Sequence, residues 1–320
     1  MPKYVFGPVP SRRFGRSLGI NNIPPKHCTY SCVYCQVGRT SFFEYHRRKF
    51  YDPDELVDEA VNIIIKNYNI IDYATFVPDG EPTLDINLGY EAEKIKNDTS
   101  VKEAIITNSS LICDNSVRED LKIFDAVSLK VDAVTYETWI KINRPHHRLK
   151  LDNILEEIID FSKSYNGTLF TETMLVKDVN DNIEEIEKIA SFLRKVKLNK
   201  AFISLPIRPP AEKWVKPSDE EKVLIAYNIF AKYLGKEHVE LLISYESGDF
   251  YRVDDPISSL LSIVSVHPMR IDYVYKFLDE NNIEHCILDK LIEEGIILNV
   301  KYGGYTFIVR KHPEIGRKKK

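Results

Sequence analysis

The sequence predicts an α/β fold in which a parallel sheet is followed by a smaller unit of helices and a hairpin. Between residues 52 and 245, short apolar runs alternate with amphipathic helical segments, and this alternation is typical of βα units. From residue 257 onward the pattern changes to three helices and then two strands joined by Gly303 and Gly304. A Gly-Gly pair between two strands is a strong hairpin signal.

The strands of the sheet are predicted where short apolar runs lie between helical segments. The first strand is expected over residues 17–23, and the first helix starts at Asp52, where Pro53 and two acids suit a first turn. Further strands are predicted over residues 73–77, 104–107, 126–131, 169–176, 201–206 and 239–245. The clearest later helices are predicted over residues 151–164, 182–195 and 219–234.

Length and composition indicate an ordinary globular protein. The chain has 320 residues, of which 43% are hydrophobic and 29% charged, enough for one large domain with an appendage or for two medium domains. No apolar run approaches the length of a membrane span, and the first residues lack the apolar region of a signal peptide, so we expect a cytoplasmic protein with no membrane partner. The formal net charge of −4 gives no general attraction for nucleic acid, and RNA binding would depend on local basic patches.

Three cysteines lie within eight residues, with the spacing C-x-x-x-C-x-x-C formed by Cys28, Cys32 and Cys35. Three thiolates at this spacing suit one iron–sulfur cube and leave its fourth iron without a protein ligand. The alternatives are a zinc knuckle that includes His27 and a redox-active dithiol of the last two cysteines. The zinc site would need a second pair of ligands, and the dithiol would leave Cys28 without a role.

The two remaining cysteines, Cys113 and Cys286, stand alone in the sequence. Five cysteines with three clustered do not form a disulfide framework, and they suit a reducing compartment with one metal site. We expect the two lone cysteines to be small buried hydrophobic residues.

The cysteine segment resembles the radical S-adenosylmethionine (SAM) superfamily, whose hallmark is this spacing with an aromatic residue before the last cysteine, here Tyr34. Residues 7–19, GPVPSRRFGRSLG, are similar to the iron–sulfur oxidoreductase group related to wyosine-base tRNA synthetases. The resemblance implies a partial (βα)₆ barrel, a [4Fe-4S] cluster held by the three cysteines, SAM as a second cofactor, and a reductant such as ferredoxin or flavodoxin. As in closed barrels, the chemistry is expected at the carboxyl ends of the strands.

The segment from Asp79 to Thr83, DGEPT, follows the predicted second strand. It resembles the Gly-Gly-Glu-Pro motif of the superfamily, whose role is to bind the methionine amino group of SAM. Gly80, Glu81 and Pro82 match that motif, whereas Asp79 replaces its first glycine and makes the backbone there less free. The alternative is a plain turn.

Polar residues on the next two strands are further candidates for binding SAM. Asn108 ends the third strand, and Ser128, Lys130 and Asp132 alternate along the fourth, so the last three point to one face. Because polar groups inside a barrel are costly unless they meet a ligand or each other, we expect Lys130 to bind the SAM carboxylate. The alternative is an ion pair between Lys130 and Asp132. Weaker candidates are Tyr34, Glu172 and Ser204.

Arginines near predicted strand ends suggest an anionic substrate, because the guanidinium fork suits phosphate and carboxylate groups. Arg12 and Arg13 precede the first strand, Arg144 lies in a loop before a helix, and Arg208 follows the sixth strand. We expect at least one of the first two to converge with Arg208. The alternative is ordinary surface charge.

The domain boundaries follow from a polar stretch at residues 248–256. We predict a radical SAM partial-barrel domain over residues 1–250, a winged-helix-like domain over 256–313 and a basic tail over 314–320. The predicted third helix, residues 283–294, carries four acids against Lys290, and this charge would repel a duplex. We therefore expect no sequence-specific DNA binding, but docking of a protein or loose contact with RNA through the hairpin and tail.

Together these patterns predict a radical SAM enzyme. The resemblance implies that a reduced cluster cleaves SAM to methionine and a 5′-deoxyadenosyl radical, which abstracts hydrogen from a substrate, with an RNA base favoured. Wyosine-forming enzymes carry extra cysteines for a second cluster, and this chain has none to spare. Modification of a peptide or protein side chain is one alternative, and a non-catalytic iron–sulfur regulator that binds nucleic acid is another.

Overall fold

The computed structural model describes residues 4–243, 248–252 and 255–311. An eight-stranded sheet that curls into a half-barrel forms its largest part, with the strand order β1-β2-β5-β6-β7-β8-β9-β10. These strands are β1 Val5–Ser11, β2 Gly15–Ile20, β5 Tyr73–Phe76, β6 Lys102–Thr107, β7 Ala126–Lys130, β8 Thr168–Met174, β9 Lys200–Ser204 and β10 Val239–Leu242. All neighbouring pairs from β2 to β10 are parallel, and β1 pairs antiparallel with β2. The predicted partial barrel is confirmed.

Helices connect the parallel strands and bury their apolar faces against the sheet. The seven that belong to the barrel are α1 Pro53–Asn67, α2 Leu88–Thr99, α3 Asn115–Leu121, α4 Tyr136–Asn143, α5 Leu151–Ser164, α6 Ile183–Leu193 and α7 Glu220–Leu234. The side chain of Asp52 caps α1 by accepting from the backbone NH of Asp54. Fully buried side chains such as Leu56, Ile64 and Phe76 fill the core between helices and sheet, as the apolar periodicity predicts.

Strand β1 was not predicted, because the first strand was expected to start at residue 17. Its segment contains Gly7, Pro8 and Pro10, and proline weakens any strand prediction because it cannot donate a ladder hydrogen bond. The pairing with β2 is irregular between Phe6 and Val9. β1 tolerates these residues because it is the edge strand of the sheet.

A long loop between β2 and α1 carries the three clustered cysteines. It contains a short parallel pair, β3 His27–Cys28 and β4 Phe42–Phe43. Tyr30 forms an isolated bridge with Pro145 of the α4–α5 connection. This bridge fixes the loop against the α4–α5 connection.

The C-terminal part consists of three helices and a small sheet. Its elements are α8 Pro256–Val266, β11 Met269–Arg270, α9 Ile271–Glu280, α10 Cys286–Glu293, β12 Ile297–Tyr302 and β13 Tyr305–Arg310, with β13 between β11 and β12. The predicted hairpin is present, with Gly303 and Gly304 both at positive φ, whereas the winged-helix assignment stays a prediction. Phe6 and Val9 of β1 belong to the hydrophobic core of this part.

Three further predictions concern the linker, the tail and the lone cysteines. Phe250, in the predicted polar linker, is buried in the C-terminal core, and residues 253–254 and the predicted tail 314–320 lie outside the described residues. The prediction that Cys113 and Cys286 are buried is wrong, because both are exposed. Cys286 begins α10, whose buried face is formed by Leu288 and Leu291. No described helix is both long and apolar enough to cross a membrane.

Candidate active site

A cavity of about 290 Å³ opens at the carboxyl ends of the barrel strands. Cys28, Cys32 and Cys35 line it from one side. The strands and the loops that follow them line it from the other, through Asp79, Gly80, Glu81, Thr107, Asn108, Lys130, Glu172, Met174 and Ser204. The volume lies near the lower end of the range of about 300–1,000 Å³ typical of small-molecule sites. The carboxyl ends of the strands are where the partial-barrel resemblance placed the chemistry.

The three clustered cysteines are held by backbone and amide hydrogen bonds. Cys35 donates its backbone NH to the carbonyl of Cys32 at 3.1 Å. Asn108 Nδ2 donates to Cys28 Sγ at 3.5 Å, and Asn143 Nδ2 donates to Cys32 Sγ at 3.4 Å. Amide donors of this kind suit sulfur atoms that carry negative charge, as the ligands of an iron–sulfur cluster do.

All three thiols are free, and burial raises their pKa values, that of Cys32 to about 12. A bound metal centre would remove this penalty, because it stabilises the thiolate directly. Three soft sulfur donors facing one cavity therefore fit a [4Fe-4S] cluster. His27 does not line that cavity: its ring stacks on Phe42 with centroids 4.2 Å apart, and Nδ1 lies 2.6 Å from Glu44 Oε1. The zinc-knuckle alternative thus loses its nitrogen ligand.

Gly80 packs directly against the cysteine loop. A Cβ atom at this position would lie 2.0 Å from the carbonyl oxygen of His27, so only glycine fits. On either side, Lys26 donates its backbone NH to Asp79 O at 2.7 Å, and Glu81 donates its own to His27 O at 3.0 Å. These bonds fasten the loop after β5 to the start of the cysteine loop.

The Glu81 carboxylate is buried and fully engaged by protein donors. Thr83 Oγ1 and Thr107 Oγ1 each donate to Oε1 at 2.6 Å, and the backbone NH of Asn108 donates to Oε2 at 2.8 Å. Burial raises the pKa of Glu81, and these hydrogen bonds oppose the shift. The side chain therefore ties the end of β5 to the end of β6 and positions Asn108. Pro82 begins a short 3₁₀ turn and is not among the residues that line the cavity.

Asp79 differs from Glu81 in its surroundings. It is 3% exposed, and its Oδ1 is buried without a hydrogen-bond partner although the residue lines the cavity. Burial raises its pKa to about 8, against the attraction of Lys26 and Arg310. From the sequence, Asp79 stands out only as a departure from a glycine motif. The sequence signal for its role is a charged side chain at the position where the Gly-Gly-Glu-Pro motif has its first glycine.

Lys130 lies in the centre of a charged network at the cavity wall. Its Nζ is 3.2 Å from Asp132 Oδ1 and 3.3 Å from Glu172 Oε1, and it lies 5.0 Å from the centroid of the Tyr34 ring. Burial lowers the pKa of Lys130, but the two carboxylates outweigh this, so the pKa is raised overall. The ion pair considered as an alternative is thus present. Ser128 is fully buried and is not among the residues that line the cavity.

Three of the four candidate arginines line the cavity together, and the fourth, Arg144, lies outside it. Arg12, Arg13 and Arg208 all line the cavity. Arg13 pairs with Glu172, while its Nε is buried without a partner. Arg208 donates to Gln36 Oε1 at 3.0 Å and lies 3.1 Å from His267 Nε2 in the C-terminal part.

Arg144 is the candidate that does not reach the cavity. Its guanidinium pairs with Glu212, which also binds Arg39 through two hydrogen bonds of 2.8 Å. Glu212 lies 68 residues from Arg144 in the chain, so no local sequence pattern identifies it as the partner of Arg144.

A model of the radical SAM superfamily matches residues 22–193, which include the cysteine loop and β5 to α6. The chain therefore belongs to the radical SAM superfamily and is an enzyme of that class. Membership implies a [4Fe-4S] cluster, SAM and an external reductant.

Over nearly its whole length the chain is similar to proteins of one named group. UPF0026 protein MJ1312 of Methanocaldococcus jannaschii is 46% identical and aligns over 96% of this chain and 95% of its own. A UPF0026 protein of Helicobacter pylori is 31% identical over 96% of this chain and 97% of its own. Among solved structures, a radical SAM methyltransferase from Sphaerobacter thermophilus has a TM-score of 0.57 at 14% identity, covering 74% of this chain and 71% of that one. That likeness concerns the fold alone.

Proposed function

We propose that this chain is a radical SAM oxidoreductase or transferase that holds its cluster through Cys28, Cys32 and Cys35 and acts on an anionic substrate, with an RNA base as the favoured class. The observation that carries the proposal is the shared cavity, which three thiols, polar groups from the strand ends and three arginines line together. When bound, the cluster supplies one electron for cleavage of SAM to methionine and a 5′-deoxyadenosyl radical, which abstracts hydrogen from the substrate.

The methionine end of SAM is assigned to the strand ends next to the cysteines. Asp79 supplies an acceptor for the ammonium group, because its buried Oδ1 has no protein partner. Lys130 suits the carboxylate and lines the cavity. The side chain of Asn108 lines it too, but its amide already donates to Cys28 Sγ and Thr29 Oγ1, so it supports the cysteine loop. Glu81 and Gly80 act by holding this edge in place, through the hydrogen bonds and the close packing described above. The ring of Tyr34, beside Lys130, forms part of the wall.

The anionic character of the substrate follows from the charges at the cavity. Five cations line it, against the carboxyl groups of Asp79, Glu81 and Glu172. The cations are Arg12, Arg13, Lys26, Lys130 and Arg208. Since the buried Nε of Arg13 lacks an acceptor, an incoming phosphate or carboxylate would satisfy it. The similarity of residues 7–19 to the wyosine-related group favours RNA over a peptide as the carrier of that anion.

Two measurements test the proposal in sequence. Anaerobically reconstituted protein, reduced with dithionite or with a ferredoxin or flavodoxin system, should form 5′-deoxyadenosine from SAM. Failure to form it with an intact cluster would contradict an enzymatic role and favour a regulator. Incubation with deuterated cell extract should then transfer label into 5′-deoxyadenosine. Pretreating the extract with ribonuclease should abolish this transfer, whereas sensitivity to protease alone would identify a protein substrate instead.

A further inference from the structure

Two segments that meet outside the cysteine loop are strongly basic although the chain as a whole is acidic. The first is residues 39–50, which begin four positions after Cys35. The second is residues 143–150, which run from the last residue of α4 to the residue before α5. Together we name them the basic face. They contain seven lysines and arginines against a single acid, Glu44, in a chain of formal charge −4. The basic residues are Arg39, Arg47, Arg48, Lys49, Arg144, Arg148 and Lys150.

The two segments form one surface that is continuous with the cysteine loop. His146 donates its backbone NH to the carbonyl of Thr29, next to Cys28, at 2.8 Å. Arg148 Nη1 lies 2.7 Å from His46 Nε2 and joins the two segments. The basic face is therefore anchored one residue away from a proposed cluster ligand.

Part of the positive charge is offset by acids that lie nearby. Glu44 pairs with Arg48, and three further acids, Asp52, Asp120 and Glu212, pair with other cations of the face. The side chain of Arg47 is only 7% exposed in its pair with Asp120. Six cations therefore remain on the surface against Glu44, Asp52 and Glu212, an excess of three. Among the described residues, neither Arg148 nor Lys150 takes part in an ion pair.

The same two segments carry aromatic rings that contact one another. Phe43 is 42% exposed, and its ring stacks on His146 with centroids 5.9 Å apart. Tyr45 also stacks on His146 at 5.6 Å, and His147 lies 4.3 Å from it. Burial lowers the pKa of His146, with contributions from its neighbours His147 and Arg148.

We propose that the basic face binds a single-stranded RNA segment, which flanks the nucleotide presented to the cavity; the inference rests on the proposed function and specifies its substrate class. Single-stranded RNA is recognised by cations that track its phosphates and by aromatic rings on which bases stack. The face offers both. An acidic protein would use the cations but would have no need for a stacked group of four rings.

The test is binding of a fluorescent single-stranded RNA dodecamer of mixed sequence to the full chain, followed by anisotropy over a range of salt concentrations. The double substitution Arg148→Gln and Lys150→Gln should weaken binding about tenfold. It should also reduce the slope of log K against log salt by about 1.4, the value for two lost phosphate contacts on a single strand. Phe43→Ala should weaken binding about tenfold with the slope unchanged, because it removes a stacking surface and no charge.

The matched control is Lys163→Gln, which removes an exposed lysine of α5 paired with Asp160, outside the basic face; its RNA affinity and salt slope should equal those of the wild type. The inference is overturned if the double variant binds RNA as tightly as the wild type does. It is also overturned if polyglutamate competes as well as RNA, since the face would then recognise acidic polypeptide. All variants should form 5′-deoxyadenosine with dithionite at the wild-type rate. Loss of that product in the wild type would overturn the proposed function while leaving the RNA measurement readable.

Discussion

At the scale of single residues, two neighbouring carboxyl groups differ because of the donors around them. Glu81 receives hydrogen bonds from Thr83, Thr107 and Asn108, whereas Asp79 Oδ1 receives none. A buried carboxyl without donors is costly in the free protein. The ammonium group proposed above as the ligand of Asp79 would offset this cost, whereas Glu81 needs no further partner.

The first prediction concerns iron binding by the clustered cysteines. Changing Cys28, Cys32 or Cys35 to alanine should abolish binding of about four irons in anaerobically reconstituted protein, because each provides one thiolate to the cluster. Iron and sulfide content with the visible absorption spectrum measure this. Cys113→Ala and Cys286→Ala are the controls and should retain full iron, since both residues are exposed and neither lines the cavity. Full iron retention in Cys32→Ala would refute the assignment.

The second prediction concerns SAM affinity. Asp79→Asn should keep the cluster but weaken SAM binding by about 2 kcal/mol, roughly thirtyfold, because a charge-assisted contact to the ammonium group is lost. Anaerobic equilibrium dialysis with labelled SAM measures it, and Lys130→Ala should act in the same direction.

Glu103→Gln provides the control for that experiment. Glu103 is likewise a buried carboxyl without a hydrogen-bond partner, but it lies near the start of β6, at the opposite end of the strand from the cavity. Its substitution should leave SAM affinity unchanged. Equal SAM affinity in Asp79→Asn and the wild type would contradict the assignment of Asp79.

At the scale of elements, the site is made where neighbouring strands end and are tied together. Glu81, after β5, accepts from Thr107 at the end of β6, and Ser109 Oγ donates to the carbonyl of Lys130 at the end of β7 at 3.1 Å. Glu172 on β8 accepts from Ser204 on β9 at 2.9 Å. These hydrogen bonds hold the polar side chains together at the carboxyl ends of neighbouring strands, which form one wall of the cavity.

Buried acids elsewhere in the strands and helices lead to the third prediction, on pH and stability. Burial raises the pKa of Glu103 on β6 and of Glu91 on α2 to about 9, in the second case with the help of Asp85. Both carboxyls favour the protonated form in the folded chain, so their contribution to stability is fully present below pH 4.5 and is lost as pH rises toward 9. The loss is at most about 1.4 kcal/mol per pH unit for each group.

Chemical denaturation of the wild type, Glu103→Gln and Glu91→Gln at pH 5 and pH 8 checks this. Each glutamine variant should lose less stability between the two pH values than the wild type does, because the group that must deprotonate is gone. As a comparison, Glu184→Gln on the exposed face of α6 should behave like the wild type. A wild-type protein that becomes more stable from pH 5 to pH 8, with the variants doing the same, would contradict the assignment.

At the scale of the whole molecule, the C-terminal part is joined to the barrel close to the cavity. Gln36, next to Cys35, donates to the carbonyl of Val266 at 2.8 Å, and Tyr302 OH donates to Pro206 O at 2.6 Å. The first strand supplies Phe6 and Val9 to the C-terminal core. The two predicted domains therefore share an apolar interface, and neither is a separately attached module.

The fourth prediction follows from this interface. Removing residues 256–320 should expose Phe6, Val9 and Phe250, and the truncated barrel should unfold at lower temperature and aggregate, because a contiguous apolar patch is left uncovered. Thermal unfolding followed by circular dichroism and light scattering measures this. Cys286→Ala, which changes an exposed side chain at the start of α10, serves as the control and should preserve the melting temperature. A truncated barrel as stable and monomeric as the full chain would show that the interface contributes little.

The charge of α10 supports the expectation that the C-terminal part does not read DNA sequence. The residues of α10 include two acids, Asp289 and Glu293, and one cation, Lys290. Sequence-reading helices use basic and amide side chains toward phosphates and bases.

The sequence by itself determined the superfamily, through the resemblance of the cysteine segment, and the βα units of a parallel sheet, because cysteine spacing and apolar periodicity are local patterns. It also identified Gly80, Glu81, Asn108 and Lys130 as residues at strand ends. The sequence did not predict β1, because its prolines are compatible with a strand only at the edge of a sheet. The prediction that Cys113 and Cys286 are buried was also wrong.

Only the tertiary structure decided which of these groups are already engaged. Glu81 accepts hydrogen bonds from Thr107 and Asn108, and Arg144 forms an ion pair with Glu212 outside the cavity. Asp79 Oδ1, in contrast, has no hydrogen-bond partner. Likewise, residues 39–50 and 143–150 form a basic face only because His146 packs on the cysteine loop. Hydrogen bonds and stacking between residues far apart in the chain depend on how the strands and loops are placed in space, and local sequence patterns carry no record of that placement.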